Sequence, residues 1–155
     1  MTTNTLARVT LATALSLIAT LGWAAGPISV IDPYARAVPP VVPNSAAFMT
    51  LKNDGETDRE LVSASSPAAK TVELHTHIND EGVMRMRQVA SIAIPAGGEA
   101  KLQPGGLHVM LIGLHQPLEP GDMLSMELTF DDGSSAQIEL PVRKIEMSQM
   151  HHHHH

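Results

Sequence analysis

Short apolar runs, broken by turn-forming residues about every eight to twelve positions, limit how this chain can fold more than any other feature. Clusters such as Pro39-Pro40, Asn53-Asp54-Gly55 and Asp131-Asp132-Gly133 end the runs before they reach helical length. Beyond the N-terminal segment, no window keeps a helical period over three turns. The pattern predicts an all-β fold, a Greek-key β-sandwich or barrel.

The apolar runs predict eleven strands, at residues 28–30, 34–38, 46–52, 61–65, 72–78, 83–89, 92–95, 99–102, 108–114, 123–130 and 137–142. We find no internal repeat, and residues 25–143 are expected to form a single domain. With only two Phe, one Tyr and one Trp in 155 residues, aliphatic side chains and methionine must fill the core. Met49, Met123 and Met126 are the methionines expected there.

The N-terminus has the pattern of a secretory signal peptide. Residues 9–25 carry no charge, follow Arg8 and end in small residues, and the run is a little short for a membrane span. We expect residues 1–24 to be removed by cleavage near Ala24, with a retained N-terminal anchor as the alternative. No cysteine follows the apolar run, which excludes lipid attachment there.

Composition excludes several functions for the exported part. Removing residues 1–24 takes away one of the ten basic residues and none of the 16 acidic ones, and no basic block is present to bind nucleic acid. The absence of cysteine excludes disulfides, thiol catalysis and Cys-containing metal sites, including the His2Cys blue-copper centre. Neither a Ser/His/Asp set nor a carboxylate pair indicates an enzyme.

Four residues form a pattern that indicates metal binding. His75, Met86, His108 and Met110 follow the spacing H-x10-M-x21-H-x-M. Thioether sulfur prefers soft ions, above all Cu(I), whereas imidazole also accepts zinc, nickel and Cu(II). Two imidazoles with two thioethers therefore predict a Cu(I) site.

Strand pairing explains half of this spacing. If residues 79–82 form a hairpin loop, Ile78 faces Val83 and His75 falls directly opposite Met86. Directly opposite residues share a face, with Cβ atoms about 4.5–5.5 Å apart. One hairpin could thus offer a nitrogen and a sulfur to one ion.

Two further pairs follow from the same geometry. His108 and Met110 share a face because residues two apart in a strand point the same way. In the predicted hairpin His77 falls opposite Met84, a second His/Met pair beside the first. Four roles are open to these two residues: spare metal ligands, groups that support the ligands, a station for metal transfer, or ordinary surface residues.

The C-terminal segment, residues 144–155, is rich in methionine and histidine. It is expected to be a flexible tail, disordered until loaded, whose imidazoles favour Cu(II). The five terminal histidines are either native or an added purification tag. The secondary metal-binding residues in this tail would be Met147, Met150, His151, His152, His153, His154 and His155.

The exported part resembles the PCu(A)C family of periplasmic copper chaperones. The matching segments are residues 34–40, 46–53, 72–75 and 102–114, and the family's H-x10-M-x21-H-x-M motif is met without a gap. The resemblance implies a cupredoxin-like β-barrel that binds Cu(I) near its surface in the periplasm. It also implies delivery toward the binuclear copper site of cytochrome c oxidase, on subunit II, alone or with a Sco-type thiol protein.

Other functions fit the same residues. A periplasmic copper buffer or scavenger, serving copper homeostasis or resistance, would share the site and differ only in the fate of the metal. A small copper redox enzyme would need open coordination and acid–base groups that the sequence does not indicate. A structural β domain would bind no metal at all.

Overall fold

The computed structural model describes residues 27–145, which form ten β-strands and no helix. The predicted signal peptide and residues 146–155 of the tail lie outside the described residues. In chain order the strands are β1 (Ile28–Arg36), β2 (Asn44–Asn53), β3 (Arg59–Ser65), β4 (Ala69–Asp80), β5 (Val83–Gln88), β6 (Ile92–Ile94), β7 (Glu99–Leu102), β8 (His108–Leu114), β9 (Met123–Phe130) and β10 (Ser135–Arg143).

The strands join in one hydrogen-bonded path with the order β5-β4-β8-β2-β1-β10-β9-β3-β6, and β7 adds to β2. Every pairing is antiparallel except the short one between β1 and β10, where Ala35 lies beside Val142. This link divides the sheet into one half with β1, β2, β4, β5, β7 and β8 and another with β3, β6, β9 and β10. The fold is the predicted all-β, cupredoxin-like single domain, with the sheet left open.

One hydrophobic core holds the two halves together. Leu51 and Leu111 from one half and Leu61, Leu128 and Leu140 from the other are fully buried in a single cluster. Aliphatic side chains dominate this core, as the scarcity of aromatic residues predicts. Burying a leucine side chain contributes about 1.5–3 kcal/mol, so these contacts supply much of the stability of the domain.

The methionines follow the alternation of their strands. Met49 and Met126 are buried in the core, as predicted. The prediction for Met123 is wrong, because its side chain is 61% exposed. Every second residue of β9, beginning with Leu124, faces the core, and Met123 lies on the opposite face of the strand.

The first two predicted strands are one strand. β1 runs from Ile28 to Arg36 and pairs with β2 on both sides of an irregularity between Ile31 and Tyr34. Asp32 has a positive φ of 46° at this point, and Pro33 has no N–H to donate to the ladder. The sequence therefore suggested a break where the strand only bulges.

The predicted register of the β4–β5 hairpin is wrong by two residues. The turn consists of Glu81 and Gly82 alone, with φ of 52° and 87°, so Asp80 rather than Ile78 faces Val83. Positive φ at both central residues is typical of a type I′ turn, whose twist matches that of antiparallel strands. Asn79 Oδ1 accepts a hydrogen bond of 2.7 Å from the Gly82 N–H and stabilises this turn.

The corrected register gives the hairpin residues different cross-strand partners but leaves them on the same faces of the sheet. Met86 lies directly opposite His77, and Gln88 lies opposite His75. The predicted pair of His77 with Met84 is also wrong, since Met84 faces Asn79. A shift of two residues leaves each side chain on its predicted side of the sheet, because strand side chains alternate with a period of two.

Glu81 gives a test of the hairpin geometry. A non-glycine residue at positive φ is strained, and asparagine tolerates this conformation better than glutamate. We expect Glu81→Asn to stabilise the hairpin by about 0.5–1 kcal/mol and to slow amide hydrogen exchange in β5 about two- to fivefold. Glu119→Asn, at an exposed glutamate without positive φ, is the control. Equal exchange rates in the two variants would contradict the turn.

Candidate metal centre

The predicted metal ligands lie on the face of the sheet that points away from the core. On β4 Leu74 is buried in the core, and on β8 Val109 is completely buried there. His75 lies directly opposite His108 in the β4–β8 ladder. Strand alternation therefore places both histidines on the outer face, where they are cross-strand neighbours.

Three histidine rings gather on this face. The ring centroids of His75 and His108 are 5.8 Å apart, and those of His77 and His108 are 5.1 Å apart. His108 is almost fully buried, while His75 and His77 are partly exposed. The structure thus brings His77 at least as close to His108 as it brings the predicted ligand His75.

A single backbone carbonyl orients two of the rings. The carbonyl oxygen of Gly106 lies 3.0 Å from Nδ1 of His108 and 3.3 Å from Nδ1 of His77. A carbonyl only accepts, so each neutral imidazole donates its Nδ1–H, and the lone pair is left on Nε2. Hydrogen bonds of this kind commonly fix the tautomer and orientation of metal-binding histidines.

The ring of His75 is held through Nε2 instead of Nδ1. Nε2 of His75 lies 2.8 Å from a carboxylate oxygen of Glu73, so a neutral His75 donates its Nε2–H to that carboxylate. Its Nδ1 is buried and has no hydrogen-bond partner within the described part of the chain. A buried nitrogen without a partner costs about 1–3 kcal/mol, and a metal ion at Nδ1 would remove this cost.

The methionine side chains complete the donor set beside a cavity of about 480 Å³. His77, His108, Met110, Met84 and Met86 all line this cavity, and His75 does not. Met84 and Met86 are 57% and 54% exposed at its rim, and Met110 is partly buried. The two thioethers of β5 are therefore the most exposed of these five residues.

The donor set fits a soft ion. Between residues 27 and 145, no three His, Cys, Asp or Glu side chains are placed to hold a metal ion by themselves. The thioether sulfurs on this face would complete such a site, and they favour Cu(I) over harder ions. The unpartnered Nδ1 of His75 and the free Nε2 of His108 would supply the nitrogen ligands.

Burial lowers the pKa of His108 below its ordinary value of 6.5. The hydrogen bond to Gly106 raises the pKa, but desolvation is the largest effect and the nearby charges of His77, His75 and Arg36 add to it. Burial disfavours the charged imidazolium, so His108 stays neutral at pH 7. A neutral imidazole is the form that binds metal ions.

The sequence pattern did not identify two residues of this centre. Glu73 shares a face with His75, two positions along the same strand, and lies directly opposite Met110. Gly106 acts through its backbone carbonyl and belongs to the turn Pro104-Gly105-Gly106. A carboxylate two residues from a predicted ligand could have indicated the contact of Glu73 with His75. No side-chain pattern indicates a backbone carbonyl as an acceptor. The predicted ligands of the tail lie outside the described residues.

The fold and the site define a class, namely cupredoxin-like β domains with an outer His/Met cluster. The family model described as "LpqE-like: Putative lipoprotein LpqE-like" matches residues 28–142, and the chain belongs to this family. "Putative lipoprotein Lxx21020" of Leifsonia xyli subsp. xyli is 41% identical over 100 residues, which are 64% of this chain and 60% of that protein. The chain thus spans about three fifths of the length of this curated relative.

Solved structures share the fold. The Cu(I) form of DR1885 from Deinococcus radiodurans is 36% identical, with a TM-score of 0.64 over 78% of this chain and 81% of that one. The copper-bound PCuAC domain from PmoF2 gives a TM-score of 0.67 over 79% of this chain and 97% of that domain. At 21% identity the second likeness shows the fold alone.

The family description as lipoproteins suggests an exported protein, in agreement with the predicted signal sequence. This chain contains no cysteine, so it departs from lipoproteins that carry lipid on a cysteine thiol. Among residues 27–145, no helix is long and apolar enough to cross a membrane.

The lowered pKa of His108 gives a pH prediction for the metal-free protein. Because the folded state holds His108 neutral below its ordinary pKa, the unfolded state binds the proton more readily. We expect the free energy of unfolding to fall as pH drops through 6.5 toward the lower folded pKa, and this loss to be smaller in His108→Asn. Urea unfolding between pH 8 and 5 measures both, with His115→Asn on an exposed loop as control. Parallel pH profiles for wild type and His108→Asn would contradict the assignment.

Proposed function

We propose that this protein is a periplasmic copper chaperone that carries Cu(I) and delivers it to an acceptor. The observation that carries the proposal is the cluster of His75, His77 and His108, each with one nitrogen fixed by a hydrogen bond and the other available. Thioethers lie beside this cluster at an open cavity. The Cu(I) form of a relative at 36% identity supports the choice of metal.

In this proposal Cu(I) is the cargo, held by His75, Met86, His108 and Met110. His75 would bind through Nδ1 and His108 through Nε2, because the N–H of the other nitrogen donates a hydrogen bond to Glu73 in His75 and to the Gly106 carbonyl in His108. All four ligands are neutral, so binding releases no proton once the imidazoles are neutral. The exposed thioether of Met86 leaves the ion accessible to a partner.

The cellular role is also part of the proposal. The chain would be exported, cleaved near Ala24 and active in the periplasm, which agrees with the lipoprotein description of its family. The acceptor would be subunit II of cytochrome c oxidase, reached directly or through a Sco-type thiol protein. The tail, with Met147, Met150 and the histidines 151–155, would be a secondary site for Cu(II), separate from the Cu(I) centre.

Met86 tests the ligand assignment. Substituting leucine keeps the size of the side chain and removes the sulfur. We expect Met86→Leu to weaken Cu(I) binding at least tenfold, about 1.4 kcal/mol, in an anaerobic chelator competition. Met123→Leu removes a similarly exposed thioether on β9 and should leave the affinity unchanged. Equal affinities in the two variants would exclude Met86 from the site.

Transfer tests the proposed role. We expect Cu(I)-loaded protein, mixed anaerobically with the metal-free soluble domain of oxidase subunit II, to lose its copper to that domain. The measurement is copper content after separating the two proteins, with the metal-free Sco-type protein as a parallel acceptor. Retention of copper in the presence of both acceptors would instead support a buffer.

A further inference from the structure

We propose that His77, Met84 and Met86 form an outer copper position through which Cu(I) enters and leaves the inner ligands His75, His108 and Met110. The inference rests on the proposed function and adds a route to it. Met86 belongs to both positions, so the ion need not leave the protein between them.

The register of the hairpin builds the outer position. Met86 lies directly opposite His77, where Cβ atoms are about 4.5–5.5 Å apart. Met84 shares their face and is a diagonal neighbour of His77, at a distance that long side chains bridge. By contrast, His75 lies opposite Gln88, and Met86 reaches it only diagonally. The hairpin thus presents Met86 more directly to His77 than to the predicted ligand.

Among the His and Met residues that line the cavity, exposure is highest at the two thioethers of the outer position and lowest at His108. Met84 and Met86 are more than half exposed, His77 is partly buried, and His108 is only 2% exposed. The same cavity joins all four residues. A soft ion arriving from solvent would therefore meet thioethers first and the buried imidazole last.

His77 is prepared for metal binding in the same way as His108. Both rings are held through Nδ1 by the Gly106 carbonyl, which leaves Nε2 as the available nitrogen of each. Their centroids are 5.1 Å apart, closer than those of His75 and His108. Cu(I) bound by His77 and Met86 would lie beside His108, its next ligand.

The transfer is a ligand exchange without redox chemistry. Copper stays Cu(I), each new neutral lone pair replaces another, and no proton moves while the imidazoles are neutral. In the inward direction His108 displaces Met84, and His75 and Met110 then displace His77, while Met86 stays bound. Release follows the same steps in reverse, after which acceptor ligands displace Met84, His77 and Met86 and carry the ion away.

Rates of Cu(I) exchange distinguish residues that assist entry and exit of the ion from residues that hold it at equilibrium. A residue that only assists entry and exit changes both rates and leaves the equilibrium affinity alone. We expect His77→Gln and Met84→Leu to slow the removal of Cu(I) by a chromophoric chelator at least tenfold in stopped-flow measurements. Their equilibrium affinities should stay within about threefold of wild type, well below one factor of ten, or 1.4 kcal/mol. His115→Gln and Met123→Leu are matched exposed controls.

The outcomes distinguish this proposal from the proposed function. Removal rates equal to those of the controls would overturn the outer position and leave Cu(I) carriage intact. A loss of affinity in His77→Gln as large as that in His108→Gln would also overturn it, because His77 would then be a holding ligand. Wild-type protein that binds no Cu(I) would overturn both.

Discussion

The alternation of side chains along β4 and β8 is the constraint on which the rest of the structure depends. The side chains on one face of these strands, including Leu74 and Val109, pack into the core and hold the sheet in place. The alternate side chains, including His75 and His108, are therefore fixed on the opposite face. The stability of the domain and the geometry of the metal centre thus come from the same pairing of two strands.

Alternation also explains how much of the fold the sequence could predict. Apolar periodicity and turn residues located nearly every strand, because each strand buries one face and ends at a turn. They failed where backbone conformation decided the outcome. Asp32 and Glu81 adopt positive φ, which non-glycine residues rarely do, so a bulge looked like a break and the hairpin turn was centred one residue too early.

The candidate site was predictable in its residues and its face but not in its contacts. The spacing predicts His75, Met86, His108 and Met110 as ligands, and an error of two residues in the register did not move any of them to the other side of the sheet. The hydrogen-bond partners of the histidine rings could not be predicted from the spacing. Gly106 contributes only a carbonyl, and the importance of His77 follows from that carbonyl and from a turn geometry that spacing does not encode.

Charge explains why such a centre would hold copper without trapping it. Neutral imidazole and thioether ligands leave the positive charge of Cu(I) uncompensated, and a desolvated charge without a counter-charge is costly. Glu73 would supply a carboxylate one hydrogen bond away from an ion bound at His75. Arg36, which is exposed, lines the cavity beside His108, so a positive rather than a negative charge lies near the proposed site. Retention in the proposed site would therefore depend on covalent donation from soft ligands to Cu(I) rather than on attraction between charges. An acceptor with softer or anionic ligands, such as thiolates, would then displace the ion without first overcoming a strong ion pair.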